Sequence, residues 1–284
     1  MSIKRVGIVG SGIMGSGIAE AAAKSGFEVV LRSRSQASAD AMAAGMEKSL
    51  AKQVEKGKLD PSDSEAAMSR LTAVSDLGEL AGCDLVIESV VEDLGVKRHL
   101  FTELDRICQE RAILATNTST LPVVEMAMET GRPEKVCGIH FFNPAPVMEL
   151  VEVVRPITAS DETIDVAKGF AEACGKSPVE VKDQAGFIVN SLLFPYLNNA
   201  VRLLEQGVAT RDGIDTAMKG GCGFPMGPFA LLDLVGLDTS LAILDALYAE
   251  FRDPNYAAVP LLRRMVAAEQ LGRKSGQGFY DYRK

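Results

Sequence analysis

The sequence predicts an α/β fold in which a mainly parallel sheet is followed by an all-helical C-terminal domain. Three observations indicate this fold class. Short apolar segments of strand character alternate with helical segments through the first half of the chain, as in βαβ units. A glycine-rich loop follows the first of these strands, and strand signals nearly disappear after Gly186. We therefore expect a sheet domain over residues 1–185 and a helical domain over residues 186–284.

The elements of the sheet domain are predicted from apolar periodicity. Runs rich in Val, Ile and Leu have strand character because branched side chains pack well on a pleated surface. The predicted strands are residues 5–9, 28–31, 71–74, 85–89, 113–115, 136–142 and 150–154. Apolar residues at helical spacing predict helices between some of these strands. The predicted helices are residues 13–24, 37–57 and 96–108, and we assign a helical hairpin insertion to this domain.

The C-terminal domain is predicted from a change in pattern. Residues 187–206 form a long apolar helix candidate that we expect Pro195 to interrupt, because proline removes a helical hydrogen bond. Further helical segments begin at Arg211, Pro228, Asp238 and Val259. Apolar stretches at residues 192–197 and 231–237 suggest a substrate and dimerisation domain, so we expect a homodimer.

The composition argues against several classes of function. The chain has 284 residues and a formal net charge of −8, whereas nucleic-acid binding requires clustered Lys and Arg. Five cysteines are scattered singly without metal-site spacing, which is typical of reduced thiols in a cytoplasmic protein. No apolar run reaches the roughly 18 residues that a membrane span needs. Only a few residues precede the first strand, so we expect no signal peptide, no membrane contact and no metal site.

The loop after the first strand has the glycine spacing of a dinucleotide-binding site. Its residues are Gly10, Ser11, Gly12, Ile13, Met14 and Gly15, a GxGxxG pattern that opens the first helix. In a Rossmann-type sheet the first glycine permits a tight turn, the second lets the backbone approach a pyrophosphate, and the third lets helix and strand pack closely. The helix N-terminus then faces the anion. A dinucleotide cofactor is expected; the alternative is a glycine-rich turn that binds no ligand.

The end of the second strand bears on the choice between NAD and NADP. An NAD site usually has an acidic residue there, which bonds the ribose 2′-hydroxyl. The residues in this chain are Arg32, Ser33, Arg34 and Ser35. Guanidinium and hydroxyl donors suit a 2′-phosphate, so we predict that Ser33 and Arg34 contact the cofactor and that NADP is preferred. The alternative is a solvated basic turn in an NAD enzyme that lacks the usual acid.

One of the two histidines is a candidate general base. His99 lies on a charged helix face, where we expect it to be solvated, whereas His140 follows the apolar run of a predicted strand. A side chain at the carboxyl end of such a strand points into the ligand-binding crevice of a doubly wound sheet. Imidazole can accept a hydroxyl proton near neutral pH. We therefore predict that His140 is catalytic, with a structural role as the alternative.

Glu152 is the candidate partner of this histidine. It stands within the apolar run 150–154, where a carboxylate is costly to bury unless it is paired. A bond to His140 would fix the imidazole tautomer and stabilise the imidazolium. In the alternative, Glu152 faces solvent from an edge strand.

Two further polar positions suit substrate binding. Ser119 belongs to a polar segment, residues 117–120, that follows a predicted strand at the same sheet edge. Its alternative role is in a helix cap, which Ser and Thr favour. Asn190 lies in an otherwise apolar helix start, so we expect it to have a buried partner or a substrate carbonyl to hold.

These motifs together resemble the L-3-hydroxyacyl-CoA dehydrogenase family, most closely its bacterial 3-hydroxybutyryl-CoA dehydrogenases. The resemblance covers essentially the whole chain. It is carried by residues 10–17, 83–88, 117–119, 140–146, 186–190, 225–228, 271–276 and 278–280.

The resemblance implies catalytic and cofactor-binding roles for matching positions. His140 corresponds to the base and Glu152 to its orienting carboxylate. Ser119 and Asn190 correspond to groups that contact the reacting oxygens of the substrate. The positions that correspond to cofactor contacts are Glu92, Lys97, Ser119, Asn143 and Lys274.

The resemblance also implies a surface for CoA on the helix after the second strand. Ser49 and Lys56 match positions that touch the CoA moiety, and Lys52 lies one turn from each. This basic face could meet CoA phosphates. The alternative is a solvated helix face.

Three positions depart from the family pattern. Ser33 stands where the NAD-binding Asp is usual, Glu149 replaces a frequent Lys, and Ser191 replaces a common Arg. The first departure agrees with an NADP preference. The other two alter the surroundings of the substrate.

The sequence therefore predicts a dehydrogenase that moves hydride reversibly between C3 of a short L-3-hydroxyacyl-CoA and a nicotinamide cofactor. The expected substrates are 3-hydroxybutyryl-CoA and acetoacetyl-CoA. Three alternatives stay open: a dehydrogenase for hydroxy acids without CoA, a non-catalytic sensor of NAD(P), and a structural protein derived from the same fold.

Overall fold

A computed structural model describes residues 3–283 of the chain. These residues divide into two compact units, the first ending at Gln184 and the second beginning at Ala185. Each unit has a hydrophobic core of its own. The named strands all lie in the first unit, and the second is helical.

The first unit is built on one eight-stranded sheet. Its strands are β1 (Arg5–Val9), β2 (Glu28–Arg32), β3 (Leu71–Val74), β4 (Leu85–Glu88), β5 (Ile113–Thr116), β6 (Val136–Phe141), β7 (Leu150–Arg155) and β8 (Ser177–Lys182). Their spatial order is β3-β2-β1-β4-β5-β6-β7-β8, and neighbours are parallel except for β6 and β7, which are antiparallel. Strand order reverses direction at β1, so a ligand crevice is expected beyond the carboxyl ends of β1 and β4.

Helices connect these strands. They are α1 (Ile13–Lys24), α2 (Gln36–Glu55), α3 (Pro61–Ser69), α4 (Leu94–Ile107), α5 (Val123–Ala127) and α6 (Asp161–Ala173). Of these, α2, α4 and α6 begin at side-chain caps. The side chain of Ser35 accepts from Ser38 N at the start of α2, and that of Asp93 accepts from Val96 N at the start of α4. Such caps satisfy backbone N–H groups that have no partner inside the helix, which explains why α2 and α4 begin slightly before the predicted residues.

β8, α6 and the five-residue helix α5 were not predicted from the apolar runs of the sequence. β8 lies at the edge of the sheet and has Pro178 near its start, where a missing N–H is tolerated. Most of its residues are exposed or half-buried, so it lacks the apolar run of a central strand. α6 buries only one stripe, which includes Ile164 and Phe170. Its signal is therefore a helical period rather than a hydrophobic segment.

The second unit consists of helices packed around a separate core. They are α7 (Val189–Glu205), α8 (Arg211–Cys222), α9 (Pro228–Val235), α10 (Leu237–Phe251) and α11 (Pro260–Ala267). α7 continues across Pro195, so the predicted interruption is wrong. Phe194 and Leu197 beside it are buried in the core of this unit. Their tertiary packing holds the helix where proline removes one backbone hydrogen bond.

These elements confirm the predicted fold class, an α/β unit with a mainly parallel sheet followed by an all-helical unit. The carboxyl ends of β1, β2, β4, β5 and β6 share one edge of the sheet, because these strands are parallel. Most of the predicted site residues of the first unit follow these strand ends. None of the helices within residues 3–283 has the length and apolar character to cross a bilayer.

Candidate active site

His140 and Glu152 lie directly opposite each other on the antiparallel strands β6 and β7. His140 Nδ1 is 2.8 Å from Glu152 Oε2, and both residues are buried, with exposed fractions of 4% and 1%. A carboxylate has only acceptors, so Nδ1 donates this hydrogen bond and the neutral ring keeps its lone pair on Nε2. The register of β6 against β7 thus fixes both the tautomer and the orientation of the imidazole.

The hydroxyl of Ser119 faces the other ring nitrogen. Ser119 Oγ lies 3.0 Å from His140 Nε2. Ser119 is half-buried in the loop after β5, whereas His140 is enclosed. A substrate oxygen that reached Nε2 would therefore also come within reach of the Ser119 hydroxyl.

A carboxylate from the loop after β4 holds the backbone around Ser119. Glu92 Oε1 accepts from Thr118 Oγ1 at 2.5 Å, from Ser119 N at 2.9 Å and from Thr120 N at 3.3 Å. Charge-assisted hydrogen bonds from two backbone N–H groups and one hydroxyl to the same carboxylate stabilise this loop conformation. Glu92 itself remains partly exposed, with 41% of its side chain accessible.

The ends of β5 and β6 are joined by Asn117. Its side-chain Oδ1 accepts from Phe141 N at 2.8 Å, next to His140 in the chain. The ring of Phe142 lies 4.6 Å from the imidazole, centroid to centroid, at an interplanar angle of 59°. The imidazole therefore has a bonded partner on each side and an aromatic neighbour, which leaves it little rotational freedom.

A buried ion pair lies beneath this loop. Lys97 Nζ is 2.6 Å from Glu88 Oε1 and 3.4 Å from Glu92 Oε2. The side chain of Lys97 is 1% exposed and that of Glu88 is 0% exposed. Lys97 was predicted as a cofactor contact, but its burial leaves the ammonium little surface for a ligand. Glu88, at the end of the apolar strand β4, was given no role in the sequence prediction although it carries the same signal as Glu152.

The glycine loop has the geometry that a dinucleotide pyrophosphate requires. Gly10 has φ +140°, and a Cβ there would collide with the Ser89 carbonyl. A Cβ on Gly15 would collide with the Gly10 carbonyl, whereas Gly12 faces open space. No side chain within residues 3–283 caps the start of α1 at Gly12, so backbone N–H groups are available to an anion. Ile13, the first residue of α1, is 77% exposed.

The end of β2 has an unpartnered hydroxyl. Ser33 is 2% exposed, and its Oγ has no hydrogen-bond partner among the described residues. Arg34 is exposed, whereas Ser35 is occupied as the cap of α2. Arg32 Nε donates to the Ser75 carbonyl, and burial is the main cause of its lowered pKa. Of the two arginines, Arg34 is thus the more accessible to a ligand.

The positions predicted to meet CoA lie on α2 and, for Lys56, at its C-terminal cap. Ser49 is half-buried, and Lys52 and Lys56 are exposed. Gln53 Nε2 donates to Glu20 Oε1 at 2.7 Å, which ties this stretch of α2 to α1. The lysines are therefore displayed on a helix that is fixed to the sheet unit.

The remaining predicted positions are separated between the two units. Asn143 is exposed in the loop after β6. Asn190 is buried at the start of α7 and belongs to the second unit. Lys274, also in the second unit, lies 2.6 Å from Asp238 Oδ2 and is half exposed.

A second lysine, which the sequence prediction missed, holds the loop that contains Asn143. Lys176 is 9% exposed, and its Nζ donates to the carbonyls of Ala145 at 2.7 Å and Met148 at 2.8 Å. Burial lowers the pKa of Lys176. Its sequence position before an edge strand gives no signal of this contact.

The cysteines do not contribute a reactive group to the first unit. Burial raises the pKa of Cys83, Cys137 and Cys174 to about 12. Their thiols therefore stay protonated at neutral pH and act as small apolar side chains. Within residues 3–283 no group of three or more His, Cys, Asp and Glu side chains is arranged to hold a metal ion.

Two family models together match nearly the whole chain. The NAD-binding domain of 3-hydroxyacyl-CoA dehydrogenase matches residues 5–184, and the C-terminal domain of 3-hydroxyacyl-CoA dehydrogenase matches residues 186–282. The first match indicates a nicotinamide cofactor. The boundary between the two matches coincides with the boundary between the two compact units.

Individual relatives match over all or nearly all of their length. The 3-hydroxybutyryl-CoA dehydrogenase of Clostridioides difficile is 46% identical over 280 residues, which covers 99% of this chain and 100% of that protein. The human mitochondrial hydroxyacyl-coenzyme A dehydrogenase is 43% identical, with 99% and 92% covered. The crystal structure of the (S)-3-hydroxybutyryl-CoA dehydrogenase PaaH1 from Ralstonia eutropha has a TM-score of 0.97 at 42% identity and full coverage of both chains. The chain therefore belongs to the 3-hydroxyacyl-CoA dehydrogenase family of oxidoreductases.

Proposed function

We propose that the protein is a 3-hydroxybutyryl-CoA dehydrogenase, which interconverts L-3-hydroxybutyryl-CoA and acetoacetyl-CoA by hydride transfer at C3. The observation that carries the proposal is the buried arrangement in which His140 lies between Ser119 and Glu152. The names of the relatives support the four-carbon substrate, since they include 3-hydroxybutyryl-CoA dehydrogenases that align end to end with this chain.

In the oxidative direction, His140 Nε2 accepts the proton of the substrate 3-hydroxyl. Nε2 carries the lone pair for this step because Nδ1 donates to Glu152. The carboxylate of Glu152 stabilises the imidazolium that forms. The bound nicotinamide supplies the acceptor for the hydride that leaves C3. In the reductive direction, His140 returns the proton to the oxygen of the 3-keto group.

Ser119 and Asn190 are proposed to orient the substrate. The Ser119 hydroxyl is 3.0 Å from Nε2, so one substrate oxygen can bond both groups. A fixed pair of contacts on the reacting oxygen contributes through positioning, which lowers the entropic part of the barrier. For Asn190 the proposal rests on the family resemblance and on its buried place at the start of α7.

We propose NADP as the preferred cofactor. The glycine loop, residues 10–15, would hold the pyrophosphate, and Ser33 and Arg34 would bond the 2′-phosphate. The unpartnered Ser33 hydroxyl and the exposed Arg34 guanidinium support this choice, as does the absence of an acid among residues 32–35. The further positions proposed to contact the cofactor are Glu92, Ser119, Asn143 and Lys274, whereas Lys97, predicted as a contact, is buried and is proposed to act on the cofactor site through Glu92. An NADP preference would favour reductive use of the enzyme.

The CoA moiety is proposed to bind along α2. The second unit is proposed to serve substrate binding and a homodimer. Ser49, Lys52 and Lys56 offer a hydroxyl and two ammonium groups to CoA phosphates. For the dimer, the support is the set of exposed apolar side chains in the second unit, among them Leu192 at 72% and Leu234 at 50% exposed.

A substrate panel tests the proposed function. Purified protein is supplied with NADPH or NADH and with 3-ketoacyl-CoAs from C4 to C16, and with free acetoacetate as the matched compound without CoA. We expect the highest kcat/KM for acetoacetyl-CoA and at least about 100-fold less for acetoacetate, because CoA contacts contribute binding energy to the transition state. Equal rates with free acetoacetate would indicate a hydroxy-acid dehydrogenase, and no turnover would indicate a cofactor sensor.

A further inference from the structure

Glu88 is a fully buried carboxylate whose two oxygens both have partners at the carboxyl end of β4. Its Oε1 accepts from Lys97 Nζ at 2.6 Å and from Val90 N at 2.5 Å. Its Oε2 accepts from Thr116 Oγ1 at 2.8 Å. A buried charge is costly, and pairs of this kind can be replaced by apolar residues without loss of stability. Stability alone therefore does not explain why an ion pair lies here.

Two routes of contacts lead from Glu88 to Ser119. In the first, Lys97 Nζ lies 3.4 Å from Glu92 Oε2, and the other oxygen of Glu92 accepts from Thr118 Oγ1 and Ser119 N. The ammonium thereby holds Glu92 in the position from which it orders the loop. The Lys97 ammonium attracts the carboxylates of both Glu88 and Glu92. Removal of the charge of Lys97 or of Glu88 therefore changes the electrostatic interaction that holds Glu92 in place.

The second route passes through a single hydroxyl. Thr116 has one hydroxyl hydrogen, which it donates to Glu88. The lone pairs of Thr116 Oγ1 therefore remain available as acceptors, and one accepts from Thr118 N at 3.1 Å. The acceptor-only carboxylate of Glu88 dictates this polarity. The residue before Ser119 is therefore held through its backbone by Thr116 and through its side chain by Glu92.

We propose that Glu88 is a positioning residue for the reaction: through Lys97–Glu92 and through Thr116 it sets the Ser119 hydroxyl against His140 Nε2. The inference rests on the proposed function for its catalytic consequence. Glu88 touches no reacting atom, and it acts on the reaction only through the placement of Ser119.

An amide cannot replace the carboxylate in this network. In Glu88→Gln one face of the side chain becomes an NH2 donor. If the NH2 group faces Lys97 and Val90, it meets the Lys97 ammonium and the Val90 N–H, which are also donors, and no hydrogen bond forms. If the NH2 group faces Thr116, the Thr116 hydroxyl must rotate to accept from it, which weakens the hydrogen bond that Thr116 Oγ1 accepts from Thr118 N. Either arrangement loosens the loop that carries Ser119.

A double-mutant cycle tests whether Glu88 acts through Ser119. Glu88→Gln is expected to lower kcat for acetoacetyl-CoA reduction about 10-fold in the native background, but less than about 2-fold in the Ser119→Ala background, because coupled residues do not add. The KM for acetoacetyl-CoA should stay within about 2-fold, since the proposed CoA contacts on α2 are unchanged. The matched control is Asp105→Asn. It breaks the ion pair between Asp105, on α4, and Arg132, and it should leave kcat within about 2-fold. Equal losses in both backgrounds would overturn the proposal.

A spectroscopic readout tests the same inference without turnover. The chain has two histidines, so 15N-labelled imidazoles can be assigned with a His99→Gln variant. We expect Glu88→Gln and Ser119→Ala to move the His140 Nε2 resonance in the same direction, because both weaken the Ser119 hydrogen bond, and Asp105→Asn to leave it unmoved. An unmoved resonance in Glu88→Gln would contradict the proposal. This result stands even if the protein reduces no 3-ketoacyl-CoA, an outcome that would refute only the proposed function.

A milder pair of variants covers the case in which Glu88→Gln does not fold. Thr116→Val removes the hydroxyl that links Glu88 to Thr118 N, while Thr116→Ser keeps it. We expect the Nε2 resonance to move in Thr116→Val and to return in Thr116→Ser. The same resonance in both variants would show that the hydroxyl does not transmit the effect.

Discussion

The carboxyl ends of β6 and β2 differ in how completely their polar groups are paired. At the end of β6, His140 is bonded at Nδ1 to Glu152 and at Nε2 to Ser119. At the end of β2, the Ser33 hydroxyl is buried without a partner within residues 3–283, and Arg34 is exposed. The imidazole at the first site is paired within the protein on both sides, whereas the Ser33 hydroxyl at the second is the group for which we propose a cofactor partner.

This difference predicts that the hydrogen-bonded network at β6 and β7 tolerates substitution poorly, whereas the proposed cofactor contact at β2 can be changed. A preorganised network loses much of its function when one member is removed, because the other members lose their orientation. A side chain that contacts only the ligand, and supports no other protein group, can be replaced with a smaller loss of activity. Mutations at β6 and β7 should therefore reduce chemistry, while mutations at β2 should redirect cofactor choice.

The largest effect in this comparison is expected from Glu152→Gln. The amide can present its NH2 group to Nδ1 and so disfavour the tautomer that leaves Nε2 unprotonated, and it lacks the negative charge that stabilises an imidazolium. We expect kcat to fall about 100-fold. Steady-state kinetics with acetoacetyl-CoA provide the measurement, with Glu180→Gln as control because Glu180, on the edge strand β8, forms a partly exposed ion pair with Arg155. A loss below about 3-fold would mean that Glu152 has no part in the proton transfer.

A smaller effect, a shift of cofactor preference from NADPH towards NADH, is expected from Ser33→Asp. A carboxylate at the end of β2 would repel a 2′-phosphate and bond ribose hydroxyls. We expect the ratio of kcat/KM for NADPH to that for NADH to fall at least about 10-fold, since like charges in contact cost several kcal/mol. The ratio is independent of the fraction of folded enzyme. The exposed Ser62→Asp adds the same charge on α3 and should leave the ratio unchanged; an unchanged ratio in Ser33→Asp would remove the basis for the NADP proposal.

The smallest effect is expected from Lys56→Ala on α2. One exposed ammonium–phosphate contact contributes modestly, so we predict an increase in the KM for acetoacetyl-CoA of about 3-fold with kcat unchanged. The increase should shrink as salt is added, because exposed charges are screened. Lys182→Ala, at the end of β8, is the matched control. If both variants behave alike at low salt, α2 does not bind CoA.

Much of the fold follows from local patterns in the sequence. Seven strands were placed within one or two residues because buried strands are continuous apolar runs. β8 and α6 lack such runs, and α7 continues across Pro195 because packing outweighs the local preference. Local pattern thus missed the edge strand β8, the helix α6 that buries a single stripe, the short helix α5, and the continuity of α7.

For the candidate site, the sequence indicated the residues but not their geometry. Glu152 was recognised as a carboxylate in an apolar run, and its position opposite His140 depends on the antiparallel register of β6 and β7. Glu88 carries the same signal in β4, yet its partner Lys97 lies on a helix, and no local pattern joins the two. The roles assigned to these residues stay predictions until they are tested by kinetics.

The most direct test of the catalytic proposal is the His140→Gln variant. Two quantities are measured on the same preparation: kcat for acetoacetyl-CoA reduction, and the affinity for NADPH by fluorescence titration. The account predicts that kcat falls about 1,000-fold, because the proton acceptor and donor is lost, while the NADPH affinity stays within about 2-fold. Turnover close to that of the unaltered protein would contradict the account.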